Sequence, residues 1–489
     1  MRIARLAGSA AVVAVAAGAA LVLGHGASRA QNEQASAPAD PQLVAKGQYI
    51  VAAGDCQGCH TVAGGQPFAG GRPIATPFGT VLSANITPAG IGGWTADQFY
   101  RAMHEGIGAG GGHLYPAFPY NYYTKVTRAD SDAAFAYLKT LKPVENHLKR
   151  NQLNFPFNIR FLMTFWNWLF LKKGPFVPDP SKSEVWNRGA YLVQGLGHCG
   201  ACHTPTNFMG APKMRQAYEG GRFGLWFAPD LTPNRRTGLG GWSRPELLEF
   251  LKTGRNVHTN VQGEMGEVVQ YSTSQLTDAD LNAIATYLAD QPASPAQNPP
   301  APEPAVMRQG EAIFQDSCAA CHRMNGQGTP RFFPPLPGSA NLQQRDPRTM
   351  IHIVLTGSRT SPTDAKPTPL SMPSYAWKLS DDQIAAVLTY ARNSWGNRAG
   401  AVSARDVGWM RRQFTFGTGP ASKPPSTDMT RPGPNTFTSP NTDSRDNGTA
   451  NAGRAAPAND NAAGGSATGA TGGGAGSGHP GGVASTGPG

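Results

Sequence analysis

Apolar and polar residues follow one helical pattern three times along this chain. Each copy opens with a segment that sets a glycine ahead of apolar residues. These are Gly47-Gln48-Tyr49-Ile50-Val51, Gly189-Ala190-Tyr191-Leu192-Val193 and Gly310-Glu311-Ala312-Ile313-Phe314. Glycine permits close approach of a second helix. A candidate for that helix closes each copy. Thr127, Thr277 and Ser380 stand where an N-cap belongs. Asp130, Asp280 and Gln383 follow three residues later, and Ser380 with Gln383 makes a full capping box. A tyrosine comes ten residues after each cap: Tyr137, Tyr287 and Tyr390. That equal spacing assigns the tyrosines to the core of a helix–helix crossing. Middle helices are predicted from Trp94-Thr95 to near Gly106 and from Trp242-Ser243 to near Gly254, with a third ending near Gly357.

The pattern predicts an all-α fold of three small tandem domains at 42–145, 183–292 and 306–395. The connector 146–182 contains an apolar run, Phe161 to Leu171, too short to span a bilayer as a helix. It reads as an interfacial helix, a partner-facing helix or packing between the first two domains. Residues 293–305 are rich in Pro and Ala and read as a stiff linker. From 415 to 489 large apolar residues almost vanish, which predicts a disordered tail.

All six cysteines fall in three Cys-x-x-Cys-His pentads, one behind each leading segment. These are Cys56 to His60, Cys199 to His203 and Cys318 to His322. This is the attachment pattern for c-type haem. Cys56, Cys59, Cys199, Cys202, Cys318 and Cys321 would each form a thioether to a vinyl group. His60, His203 and His322 would fall under the irons as proximal ligands. A thioredoxin-like pair needs one motif beside a strand–helix unit and gives the histidine no task. Structural zinc needs four ligands, which three separated triplets supply poorly. Disulfides within the motifs would leave the repeated histidine without a role. The expected cofactor is therefore three haem c, and the expected activity is electron transfer.

The rest of the composition narrows the setting. Arg2 and Arg5 precede an apolar core from Ala7 to Gly24, and Ser28-Arg29-Ala30 offers small residues before Gln31. Residues 1–30 thus read as a cleaved signal peptide, with an uncleaved anchor as the alternative. Periplasmic localisation is expected, since haem is attached to such motifs outside the cytoplasm. The formal charge of +11 suits an acidic partner or an anionic membrane surface, or has no specific meaning. No basic cluster points to nucleic acid, and no glycine-rich dinucleotide signature follows a strand.

Haem c in electron carriers commonly has methionine opposite histidine, which raises its potential. Met372 lies eight residues before Ser380 and Met265 twelve before Thr277, both expected in loops. The first copy departs from this, because Phe118 occupies the place of methionine. Met103 ranks first as its substitute. His104, His113 or a five-coordinate iron are the alternatives.

These features resemble the tri-haem cytochrome c subunits of bacterial membrane-associated dehydrogenases for alcohol, gluconate and sorbitol, over residues 42–395. The most specific stretches run from Trp186-Asn187-Arg188-Gly189 through His198-Cys199 to His203-Thr204-Pro205. His113-Leu114-Tyr115-Pro116-Ala117, Met265-Gly266-Glu267-Val268-Val269 and Met372-Pro373-Ser374-Tyr375 add to them. The resemblance implies three class I cytochrome c-like domains. It also implies a catalytic dehydrogenase partner (a quinoprotein, flavoprotein or molybdoprotein), delivery to ubiquinone or a terminal oxidase, and a place on the outer face of the cytoplasmic membrane. Phe118 is similar to cytochromes associated with molybdenum hydroxylases. Two rival functions stand beside this one: a peroxidase-like haem enzyme with an open iron in the first domain, and a soluble shuttle without a fixed partner.

Overall fold

Three leading helices cross three closing helices at the predicted glycines. The computed structural model describes residues 40–414. The expected signal peptide and tail lie outside the described residues. The leading helices are Pro41–Ala53, Glu184–Tyr191 and Pro304–Ser317, and the closing helices are Arg128–Thr140, Asp278–Ala289 and Asp381–Asn393. Thr127 and Thr277 accept the backbone N–H of Asp130 and Asp280, while Ser380 and Gln383 form the reciprocal box. At each crossing the glycine has no room for a side chain. A Cβ on Gly47 or Gly189 would lie 1.9 Å from the carbonyl oxygen of Ala133 or Ala283, and one on Gly310 2.2 Å from that of Ala386. The three predicted tyrosines flank these contacts through their own Cβ atoms.

The middle helices are Ala96–Glu105, Arg244–Thr253 and Arg348–Thr356. Thr95 with Gln98 and Ser243 with Glu246 form capping boxes at the first two. All three end on a glycine with positive φ: Gly106, Gly254 and Gly357.

Three features differ from the sequence reading. The fold is mostly helical, not wholly so: Pro73–Thr76, Gly79–Leu82 and Gln152–Leu153 form a small antiparallel sheet, and two hairpins occur later. The connector is therefore tied to the first copy through Gln152–Leu153. The third copy also continues past the expected boundary at 395. A helix over Ala404–Gln413 buries Val407 and Met410 against Ile384 and Leu388 of its closing helix. Its amphipathic pattern lies beyond the last repeated feature, so repeat matching missed it.

The first two copies share one apolar core, which includes Ile50, Phe135, Leu138, Leu192, Leu196, Leu281 and Leu288. They also exchange hydrogen bonds reciprocally. Tyr49 of the first copy donates to Asp280 of the second at 2.6 Å, and Tyr191 of the second donates to Asp130 of the first at 2.5 Å. Each hydroxyl accepts the N–H of the other copy's cap, Thr277 or Thr127. The third copy has Ala312 and Gln383 at these positions and takes no part. It joins the second through Arg331 to Glu249, Asn260 to the Phe332 carbonyl and Thr349 to the Phe227 backbone.

Candidate haem-attachment sites

Each pentad is wound into a single helical turn just after its leading helix. The turns span Cys56–His60, Gly200–His203 and Ala319–His322. One turn sets the two cysteines, three apart, along one face and brings the histidine beside them. Asp55 and His198 hold positive φ before the first two turns. All six cysteines are unpaired with one another. Burial pushes the Cys56 and Cys59 thiols up to about 12 and those of Cys199 and Cys318 up to about 11. These are neutral thiols, unlike the low-pKa thiolates of redox-exchange sites. Among the described residues no group of three or more His, Cys, Asp or Glu side chains is placed to hold a metal ion.

The imidazoles carry the diagnostic geometry. Nδ1 of His60 lies 2.6 Å from the Ala84 carbonyl, Nδ1 of His203 2.7 Å from that of Pro229 and Nδ1 of His322 3.2 Å from that of Pro334. A carbonyl accepts only from an N–H, so each ring holds its proton on Nδ1 and presents a bare Nε2. Metal-ligating histidines are oriented in this way. Burial lowers the pKa of all three rings, which keeps them neutral. In the third copy Cys318, Cys321, His322 and Met372 line one cavity, together with Phe333, Tyr375 and Leu370. These donors fit a haem: Cys318 and Cys321 would hold it covalently, and His322 and Met372 would be available to its iron.

Neither methionine lies in a loop as expected: Met372 sits in a two-residue strand, Ser371–Met372, paired with Ser358–Arg359. Met265 lies in the first turn of a helix over Glu264–Tyr271, whose start at Gly263 needs a positive φ of 57° and closes against Trp226. Met103 is buried in the middle helix, within the apolar core that Phe118 packs against, and its sulfur is 3.7 Å from the Ser131 hydroxyl. His104 bonds the Val126 carbonyl, and its Nε2 is buried without a partner. In the second copy Lys252 makes the equivalent bond to the Leu276 carbonyl, so this position ties the middle helix to the closing one. His113 is held by Thr164 and Asn167 of a helix over Leu162–Phe170 in the connector.

The sequence reading missed a charged cluster between the first two sites. Arg72 donates to the Gly58 carbonyl, inside the first pentad, at 2.6 Å. It also pairs with Glu264, at 2.6 Å, and with Glu267. No motif marks these residues. The only signal was that both glutamates flank Met265.

A helical chain carrying Cys-x-x-Cys-His turns with anchored imidazoles is a c-type cytochrome. The cytochrome c family model matches residues 44–142 and 307–395, which are the first and third copies. The chain is 39% identical over 405 residues to the gluconate 2-dehydrogenase cytochrome c subunit of Pantoea cypripedii, covering 77% of this chain and 91% of that protein. It is 38% identical over 397 residues to the cytochrome c subunit of alcohol dehydrogenase (quinone) from Gluconacetobacter polyoxogenes, covering 76% and 85%. The fructose dehydrogenase cytochrome subunit of Gluconobacter japonicus is 36% identical over 416 residues, covering 78% and 86%. The chain belongs to the family of dehydrogenase cytochrome c subunits. Its cytochrome c domains imply haem c, and its relatives' roles imply electron transfer beside a catalytic dehydrogenase.

Proposed function

We propose that the chain is a three-haem electron carrier, located in the periplasm, that takes electrons singly from a partner dehydrogenase and passes them to ubiquinone or a terminal oxidase. The observation that carries this is the threefold anchoring of a motif imidazole through Nδ1. Haem would supply the one-electron chemistry. The protein holds each neutral imidazole, buries the thioether edge and offers a sixth ligand. The second copy touches both others, which suits passage through it.

Met265 and Met372 are the sixth ligands of the second and third irons in this reading, and Met103 serves the first. Each copy carries methionine at one of two places. The helix position three residues before the terminal glycine reads Met103, Leu251 and Val354, and the later position reads Phe118, Met265 and Met372. The first copy exchanges the two. The partner would be a quinoprotein, flavoprotein or molybdoprotein. Purification in mild detergent tests the whole reading. The chain should emerge with a dehydrogenase subunit, and its haems should be reduced when that subunit's substrate is added. Emergence alone, with no such reduction, would favour the free shuttle.

The connector supports a membrane contact. Phe155 is 80% and Trp168 81% exposed, and Phe161, Phe165 and Leu169 are exposed beside them. From 146 to 173 the cations Lys149, Arg150, Arg160, Lys172 and Lys173 occur without one carboxylate. No described helix is long and apolar enough to cross a membrane. Exposed aromatics bordered by cations suit the surface of an anionic bilayer. Replacing Phe165 and Trp168 together by Ser should weaken binding to anionic vesicles by about tenfold or more, given the apolar area removed. Vesicle flotation measures it, and unchanged binding rejects this face.

A further inference from the structure

The helix that carries Met265 is held from both sides by other copies. Glu264 and Glu267 lie one turn apart on it, and both reach Arg72 of the first copy. On its far side Gly266 stands against Ser361 of the third copy, where an added Cβ would meet Oγ at 2.5 Å. Few bonds within the second copy fix this helix at its start. Gly263 gives no side-chain cap, so the first turn relies on what surrounds it.

Arg72 is placed to bind two copies together. Its side chain is 19% exposed, and those of Glu264 and Glu267 are 25% and 22% exposed. One terminal nitrogen reaches the Gly58 carbonyl, between Cys56 and Cys59, and the same nitrogen bonds Glu267. The other nitrogen bonds Glu264. A planar fork can satisfy acceptors in these separate directions, which a lysine ammonium matches less well. Among the described residues Arg72 is the one cation paired with Glu264 and Glu267. Asp55 lies in the same cluster with one oxygen buried and unpartnered, and burial together with Glu267 pushes its carboxyl up to about 7. Removing the guanidinium would leave Glu264 and Glu267 without their cationic partner in a mostly buried junction. The helix would then be driven away from its seat.

We propose that Arg72 is a positioning residue for the second haem: it clamps the Met265 helix through Glu264 and Glu267 and ties it to the first haem's attachment turn. This rests on Met265 being the sixth ligand. It means that ligation of one haem depends on a side chain supplied beside another.

The test uses the full chain with its haems attached, and reads the sulfur-to-iron charge-transfer band of the ferric protein and the midpoint potentials. Met265→Ala should lose one share of the band. Arg72→Gln should lose the same share, and the double variant should lose no more. Arg72→Lys should keep part of it, more than Arg72→Gln and less than the unaltered chain. The second haem's midpoint should fall in Arg72→Gln, since methionine raises the potential, while the third haem's stays in place. If Arg72→Gln fails to mature, Glu264→Gln combined with Glu267→Gln keeps Arg72 on the Gly58 carbonyl and should lose the same share. A full band in either Arg72→Gln or the double glutamate variant, with loss in Met265→Ala, overturns the proposal alone. A full band in Met265→Ala removes the ligand assignment and the proposal with it.

Discussion

Gly189→Ala is expected to destabilise the haem-loaded protein by about 3 kcal/mol or more, among the largest effects of any single methyl group in this chain. The added carbon would sit 1.9 Å from the Ala283 carbonyl oxygen and 2.9 Å from Tyr287 Cβ. Both obstacles are fixed. One is the backbone of the closing helix and the other is the root of a side chain, so no rotamer change relieves the clash. The helices must separate, and the separation opens the core shared by Leu192, Leu196, Leu281 and Leu288. Alanine's better helix propensity returns only about 1 kcal/mol. Gly93→Ala and Gly112→Ala are the controls. A Cβ at either meets nothing within 4 Å, and each should change stability by less than about 0.5 kcal/mol. Urea unfolding followed by circular dichroism separates these outcomes. A Gly189→Ala protein as stable as the controls would show that the crossing is looser than drawn.

The same crossing shows which parts of the fold were legible in the sequence. Gly47, Gly189 and Gly310, the caps Thr127, Thr277 and Ser380, and the tyrosines ten residues on were all readable, because a close crossing admits few residue types at fixed spacing. The pentads were readable for the same reason. Met265 was placed in a loop because nothing local marks its helix: Gly263 makes no cap bond, and the stabilising partners come from Arg72, almost two hundred residues earlier. The final helix, Ala404–Gln413, lacked a counterpart in the other copies, so comparison of the chain with itself could not reveal it. The Tyr49 and Tyr191 hydroxyl exchange was likewise invisible. Each tyrosine sits on an ordinary helix face, and its partner belongs to a different copy.

That exchange gives the second large effect. Asp280→Asn should cost about 2 kcal/mol, and the loss should vanish in acid. The carboxylate accepts Tyr49 at 2.6 Å and both Nε and Nη2 of Arg188 at 2.8 Å. An amide can keep the tyrosine bond but must turn an N–H or a neutral oxygen toward the guanidinium. The value is set below that of a fully buried pair because Arg188 is 37% exposed. Burial alone would raise the Asp280 carboxyl. The Arg188 and Tyr49 hydrogen bonds and the Arg188 charge outweigh burial and hold it below its usual range. A depressed carboxyl stabilises the fold fully above the unfolded value, about 3.9, and stops doing so as pH falls through the lower folded value. Wild type should therefore be the more stable protein near neutrality, and the gap to Asp280→Asn should begin to narrow below about pH 4 and close once pH has fallen past the lower folded value. Tyr49→Phe removes one of the three bonds and should show a smaller gap, of about 1 kcal/mol. Combining it with Asp280→Asn should cost less than the sum of the two, because both act on one carboxylate. Unfolding midpoints measured from pH 7 down to pH 3 read all of this. A gap that stayed constant across that range would mean that Asp280 holds the two copies together by shape rather than by charge.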